Sequence, residues 1–162
     1  MRSLVPLVPT LAALVGCGGA SAEVEGTAGG IKFGGTDYVY WGARYVVISM
    51  VEVECTGVDW VERNYDEGVA PTTVDTSVLQ FTFSGDELEE GKSSIQQGGQ
   101  AQATIVNVSG GVFQETNATA GAVTIDSFDD EGLATGSFET VTFEDGTLSG
   151  SFTAEWCRNL KP

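Results

Sequence analysis

Apolar and polar residues alternate with a period of two along much of the chain, which is the pattern of β-strands that bury one face. In VLQFTF, at positions 78–83, the alternation places Leu79, Phe81 and Phe83 on the same side. Helical periodicity is almost absent, and short strands with Gly-rich turns are typical of packed or closed sheets. The sequence therefore predicts an all-β fold, an antiparallel β-sandwich or flattened barrel of about 8–10 strands.

The predicted strands differ in how deeply they are buried. The segment RYVVISMVEVEC, at positions 44–55, is apolar on both faces through Val51 and alternates afterwards. This pattern predicts a central strand that becomes half exposed and ends at Cys55. Residues 31–162 are expected to form a single domain. Further strands are expected at 38–41, 78–83, 103–108, 111–115 and 121–128.

The strongest turn signal is the dipeptide Asp145-Gly146 between two β-rich runs. A type I′ turn needs positive φ at both central residues, and these two residue types tolerate it. A hairpin with this turn would set Phe143 opposite Leu148 and Val141 opposite Gly150.

Extending that register would set Glu139 opposite Phe152, which is a poor cross-strand pair. One extra residue near positions 139–140, a β-bulge, would instead move Phe138 opposite Phe152. We therefore predict a bulge there. The sequences TGSF at 135–138 and SGSF at 149–152 are expected to pair across this hairpin.

The beginning of the chain has the features of an export signal. Arg2 precedes an apolar run at positions 4–15. As a helix this run spans only about 18 Å, which is less than the ~30 Å hydrocarbon layer of a bilayer. Residues 1–16 are therefore predicted to be a signal peptide and not a membrane span.

The four residues Leu14-Val15-Gly16-Cys17 follow the apolar run directly. They resemble the lipobox of bacterial lipoproteins at all four positions. The resemblance implies cleavage before Cys17, a diacylglyceryl group on its sulfur and a further acyl chain, such as palmitate, on its amino group. Gly18, in place of Asp, implies delivery to the outer membrane. Residues 17–30 would then be the lipidated cysteine and a flexible Gly-rich tether.

The arrangement of the whole chain is similar to small β-rich envelope lipoproteins of unassigned function. The shared features are the lipobox, the Gly-rich segment, a strand that ends in Cys and a late Gly-x-Phe hairpin. The resemblance implies no catalytic residues. A competing cleavage site is Ala20-Ser21-Ala22, which suits general signal peptidase and would release a soluble secreted protein. It lies seven residues beyond the apolar run.

The cysteines are consistent with either cut. Cys17 is lipidated in one case and removed in the other, so Cys55 and Cys157 remain as a pair in an oxidising compartment. Closing a loop of about 100 residues would stabilise the fold by roughly 4–5 kcal/mol. The strand alternation does not point both cysteines to the interior, however. Cys55 lies on the buried face of its strand, whereas Cys157 follows the inward-facing Trp156 and therefore points outward.

Charge and composition narrow the function. The formal net charge of −16 argues against a nucleic-acid partner, and the absence of histidine removes the common His-dependent catalytic and zinc sites. We expect no cofactor other than the covalent lipid on Cys17.

Three groups of side chains are candidates for binding or catalysis. The first is an acidic segment that suggests a weak calcium site, although a solvated hairpin turn explains it as well. The second is a carboxylate-rich loop that could support glycosidic hydrolysis. The third is a set of aromatic residues that could stack on carbohydrate, although core packing is the simpler explanation. These groups are Asp126, Asp129, Asp130 and Glu131; Asp86, Glu87, Glu89 and Glu90; and Trp41, Trp60 and Tyr65.

Together these features predict a non-catalytic structural or interaction module, lipid-anchored in the bacterial envelope, with an envelope protein or a carbohydrate as its partner. The alternative is a β-sandwich that binds carbohydrate or another small ligand. A carboxylate-based hydrolase is the third hypothesis.

Overall fold

The computed structural model describes residues 19–52, 75–110, 112–158 and 160. Within these ranges the chain forms eleven β-strands and no helix, which confirms the all-β prediction. In chain order the strands are β1 (Ser21–Ala28), β2 (Ile31–Lys32), β3 (Tyr38–Gly42), β4 (Tyr45–Ser49), β5 (Thr76–Phe83), β6 (Gly91–Ile95), β7 (Ala101–Ser109), β8 (Val112–Asn117), β9 (Ala120–Phe128), β10 (Leu133–Phe143) and β11 (Gly146–Trp156).

Eight of these strands close into a barrel. Its order is β10-β9-β6-β7-β5-β4-β3-β11, and the pairing of β10 with β11 completes the ring. Strands β1 and β2 extend from β11, and β8 pairs with β7, so these three lie outside the ring. The closed sheet agrees with the prediction of a flattened barrel. Counted over the described residues, the eleven strands exceed the predicted 8–10.

The barrel is not antiparallel throughout, which corrects the prediction. Strands β3 and β11 run parallel and pair only at Tyr40–Glu155 and Trp41–Trp156. Strands β6 and β7 are also parallel and pair only at Ile95–Ala101. Alternating side chains predict which face of a strand is buried, but they carry no information on strand direction at such short seams.

The interior of the barrel is filled by the inward-facing residues of successive strands. Phe81 and Phe138 are both fully buried and their rings lie 5.1 Å apart, tilted by 47°. Strand β4 lies between β3 and β5 and is buried on both faces, as expected of a central strand, but it ends at Ser49. The predicted continuation to Cys55 lies outside the described residues.

Strand β1 occupies the segment that was predicted to be a tether. Residues 21–28 pair with β11 from Ser21–Thr153 to Thr27–Thr147, and Ala22, Val24 and Ala28 are buried. The tether assignment of 17–30 is therefore wrong for β1. The sequence SAEVEGTA does alternate, but its inward residues are mostly alanine, so the hydrophobic signal is weak and the partner strand determines the structure.

The β10–β11 hairpin turns at residues 144–145, not at Asp145-Gly146. Phe143 pairs with Gly146 and Val141 with Leu148, so the predicted register is wrong. Two contacts with the β1–β2 region explain the shift. The Asp145 carboxylate accepts hydrogen bonds from the turn between β1 and β2, and a side chain at Gly146 would collide with the Thr27 carbonyl oxygen.

The predicted bulge is confirmed. Strand β10 carries one extra residue between Phe138 and Val141, and Thr140 within it has a φ of 48°. The expected pairing of Phe138 with Phe152 is wrong, because Phe138 pairs with Gly150.

The two Gly-Ser-Phe sequences pair with each other, as predicted. Gly136 lies opposite Phe152 and Phe138 lies opposite Gly150. A Cβ at Gly136 would lie 2.5 Å from the Phe152 ring, and one at Gly150 would lie 2.7 Å from the Phe138 ring. Each phenylalanine therefore covers the glycine of the partner strand, so the repeat is a packing device of one hairpin.

Candidate functional site

A cavity of about 690 Å³ lies at one end of the barrel. Its walls come from the β3–β4 turn, the β5–β6 loop, the β9–β10 turn and the residues that follow β11. The β5–β6 loop is fixed to the β3–β4 turn because the Leu88 N–H donates to the Ala43 carbonyl oxygen at 2.8 Å. This volume lies within the range of small-molecule binding sites.

Three aromatic rings form the floor of the cavity. Trp41 lies edge to face with Trp156, with ring centroids 4.6 Å apart, and it contacts Phe128 at 5.4 Å. The Gly132 carbonyl oxygen accepts two hydrogen bonds of 3.0 Å, from the Trp41 indole N–H and from the Trp156 backbone N–H. These bonds join β3, β11 and the β9–β10 turn, so the floor is held in place before any ligand binds.

The rim of the cavity is acidic. Asp86 and Glu87 approach from the β5–β6 loop, and Asp130 and Glu131 approach from the β9–β10 turn, while Arg158 is the one cation among the described lining residues. All five side chains are exposed. The rim therefore has a net charge of −3 above an aromatic floor.

Two turn residues at this cavity have left-handed backbone conformations. Ala43 has a φ of 42° and Glu131 has a φ of 54°. Residues with a Cβ are disfavoured there by roughly 1–2 kcal/mol relative to the usual right-handed region. The surrounding strand pairs hold both turns in place, at Gly42–Tyr45 for the first and Ala134–Phe128 for the second.

The candidate stacking residues are only partly brought to this cavity. Trp41 lines it, but its side chain is 4% exposed and its indole N–H is already bonded, so Trp41 is mainly a structural wall. Trp60 and Tyr65 lie outside the described residues. Phe128 and Trp156, which sequence reasoning did not single out, accompany Trp41. The signal available in the sequence was that each aromatic residue stands at the end of a strand that leads into a turn.

The acidic segment 126–132 comprises the end of β9 and the β9–β10 turn at 129–132. The Asp129 N–H donates to the Leu133 carbonyl oxygen at 3.0 Å, and the Gly132 N–H donates to the Asp129 carbonyl oxygen at 3.0 Å. This agrees with the hairpin interpretation. Across the described part of the chain, no three His, Cys, Asp or Glu residues are grouped as a metal site would require, and this includes the calcium candidates Asp126, Asp129, Asp130 and Glu131.

The carboxylates considered for hydrolysis separate into two groups. Asp86 and Glu87 line the cavity together with Asp130 and Glu131. Glu89 and Glu90 are exposed on the same loop but do not line the cavity.

At the other end of β10, Asp145 binds the β1–β2 turn. Its two carboxylate oxygens accept hydrogen bonds from the backbone N–H groups of Gly29 and Gly30, at 2.8 and 2.9 Å. The pKa of Asp145 is lowered, first by the bond from Gly29 and next by that from Gly30. Gly29 and Gly30 have φ values of 61° and 71°, so the type I′ geometry that was predicted for Asp145-Gly146 occurs instead in the β1–β2 turn.

The cysteine predictions can be located only in part. Cys157 is fully buried, and its backbone N–H donates to the Trp41 carbonyl oxygen at 2.7 Å. It packs with Tyr40, Tyr45 and Leu160 in a second apolar cluster. Cys17 and Cys55 lie outside the described residues, so the lipid on Cys17 and the Cys55–Cys157 disulfide stay predictions.

Within the described ranges, no helix is both long and apolar enough to span a bilayer. Comparison of the chain with protein-family models, curated proteins and solved structures found no match.

Proposed function

We propose that this protein is a lipid-anchored, non-catalytic structural or interaction module of the bacterial envelope, attached to the outer membrane. Its lipid is carried on Cys17, and Cys55 and Cys157 form a disulfide. The observation that carries the proposal is the structure of β1, because the two candidate cleavage sites affect this strand differently.

Cleavage after Ala22 would divide β1. Ala22 is 3% exposed and pairs with Phe152 of β11. Its N–H donates to the Thr36 carbonyl oxygen at 2.7 Å, and its carbonyl oxygen accepts from the Thr36 N–H at 2.9 Å. A cut there would remove these bonds and leave a charged amino group at Glu23, next to the barrel wall. Cleavage before Cys17 leaves β1 intact, and this favours the lipobox.

The anchor would also orient the barrel. Ser21 pairs with Thr153, near the end of β11 that carries Trp156. The four residue-to-residue steps from Cys17 to Ser21 span at most about 14 Å when fully extended. A lipid on Cys17 would therefore hold the cavity end of the barrel close to the membrane.

The test is the mass of the mature N-terminus, measured together with incorporation of radioactive palmitate in a bacterial host. We expect an acylated Cys17, and we expect Cys17→Ser to lose the label while Cys55→Ser retains it. A mature protein that begins at Glu23 without lipid would contradict the proposal. Thiol alkylation without reductant checks the disulfide, since a Cys55–Cys157 bond protects both sulfurs.

A second candidate is a ligand-binding module, and the cavity beside Trp41 is the observation that favours it. Its rigid aromatic floor suits a small ligand with an apolar face, including carbohydrate. Titration with neutral oligosaccharides, followed by tryptophan fluorescence, tests the carbohydrate form of this candidate. The hydrolase hypothesis has less support, because the four rim carboxylates are all exposed, whereas a catalytic acid is usually shielded from water.

A further inference from the structure

We infer that the cavity is a binding site for a small organic cation, an ammonium group attached to an apolar or aromatic body. This inference rests on the second candidate function, ligand binding at the cavity, and names the chemical class of the ligand. It does not depend on the lipid anchor.

The floor of the cavity suits both parts of such a ligand. The faces of Trp and Phe rings attract cations through their quadrupoles, most strongly when water is excluded. Trp156 is only half buried, and with Phe128 it borders the cavity. The Gly132 carbonyl oxygen holds the Trp41 ring and the backbone of Trp156, so the Trp41 part of the floor needs little reordering when a ligand binds.

The rim sets the sign of the charge. Asp86 and Glu87 lie on the β5–β6 loop, and Asp130 and Glu131 lie on the β9–β10 turn, and all four line the cavity. No hydrogen bond or ion pair joins these four carboxylates to another described side chain, and Arg158 balances only one of the charges. A cation in the cavity would be attracted by the carboxylates of both segments, whereas an anion would be repelled.

The experiment compares three ligands that share a phenyl group and differ in charge. Phenethylammonium, 2-phenylethanol and phenylacetate are titrated into the purified mature protein and followed by calorimetry and tryptophan fluorescence. We expect phenethylammonium to bind about tenfold more tightly than the alcohol, and phenylacetate not to bind. Equal binding of the cation and the anion would overturn the inference.

Two double variants distinguish the effect of the cavity carboxylates on binding from the effect of the overall negative charge. The pair Glu87→Gln with Asp130→Asn is expected to weaken phenethylammonium binding about fivefold. The control pair Glu25→Gln with Glu115→Gln removes the same charge from exposed positions on β1 and β8, and it should change binding less than twofold. Equal weakening by both pairs would mean that only the net charge matters, and it would overturn the assignment to the cavity.

A free amine and the ammonium headgroup of a lipid share this chemistry. Glycerophosphoethanolamine carries the headgroup without acyl chains, so displacement of bound phenethylammonium by this compound would indicate a headgroup site, whereas no displacement would indicate free amines. If neutral oligosaccharides bind and phenethylammonium does not, the cation class is wrong but ligand binding stands. If none of these compounds binds, both the cation inference and the ligand-binding candidate fail.

Discussion

Acidic residues and positive-φ positions occur at the turns on both ends of strand β10, but their contacts differ between the two ends. At the β10–β11 turn, the Asp145 carboxylate accepts two backbone hydrogen bonds, and glycines occupy the positive-φ positions of the adjoining turn. At the β9–β10 turn, Asp130 and Glu131 face a cavity, and Glu131 itself has a positive φ. One end has the turn chemistry expected for stability, and the other departs from it beside a cavity. Such departures are typical of binding sites.

The largest expected effect is at the Asp145 end, where strands approach too closely for a side chain. A Cβ at Gly146 would collide with the Thr27 carbonyl oxygen, so Gly146→Ala must separate β1 from the hairpin. We expect a loss of about 3 kcal/mol in the free energy of unfolding, measured by urea denaturation. Gly34→Ala is the control, because a Cβ there meets nothing within 4 Å. A Gly146→Ala variant as stable as this control would show that the two strands are not tightly packed.

A smaller loss is expected at the cavity end, from Trp41→Phe. The substitution removes the hydrogen bond to the Gly132 carbonyl oxygen and leaves unfilled space against Trp156 and Phe128. We expect a destabilisation of roughly 2 kcal/mol. In Trp156→Phe the side chain that is replaced makes no hydrogen bond, so this variant should lose less. The reverse order would mean that the Gly132 bond does not hold the floor together.

Substitutions at Glu131 and Gly30 test whether the positive-φ backbone is strained at one end of β10 and relaxed at the other. Glu131→Gly relieves a disfavoured φ and should raise the free energy of unfolding by about 1 kcal/mol. Gly30→Ala should lower it by a similar amount, and steric contact is not the cause, since a Cβ at Gly30 has open space around it. If both variants are destabilised equally, strain does not distinguish the two ends.

The sequence predicted the strands more reliably than their partners. Alternation located β5, β7, β8 and β9 because this signal is local. The bulge was predicted at the correct residues, but from a hairpin register that the structure shows to be wrong. The Asp145-Gly146 turn was misplaced because the carboxylate bonds to a turn more than 110 positions away in the chain, and no local pattern contains that contact.

The cavity was predicted only in fragments for the same reason. Trp41 and the acidic residues of the β9–β10 turn were singled out separately, as stacking and calcium candidates. Trp41 reaches the cavity because β3 and β11 pair in parallel over two residue pairs, and this pairing places Trp41 against Trp156. Nothing in the alternation of either strand indicates that parallel pairing.

The smallest effect concerns the Asp145 carboxylate and depends on pH. Its pKa is lowered in the folded protein by the bonds from Gly29 and Gly30, so the charged form is the one that stabilises the fold. The stabilisation is complete above the ordinary pKa of an aspartate and is lost as the pH falls through the lowered value. Asp145→Asn should therefore be less stable than the wild type at pH 7, and the difference should narrow as unfolding is measured at successively lower pH. Glu144→Gln, which removes a neighbouring charge that accepts no bond from that turn, is the control variant. If the two variants respond alike to acid, the contrast between the two ends of β10 does not extend to their carboxylates.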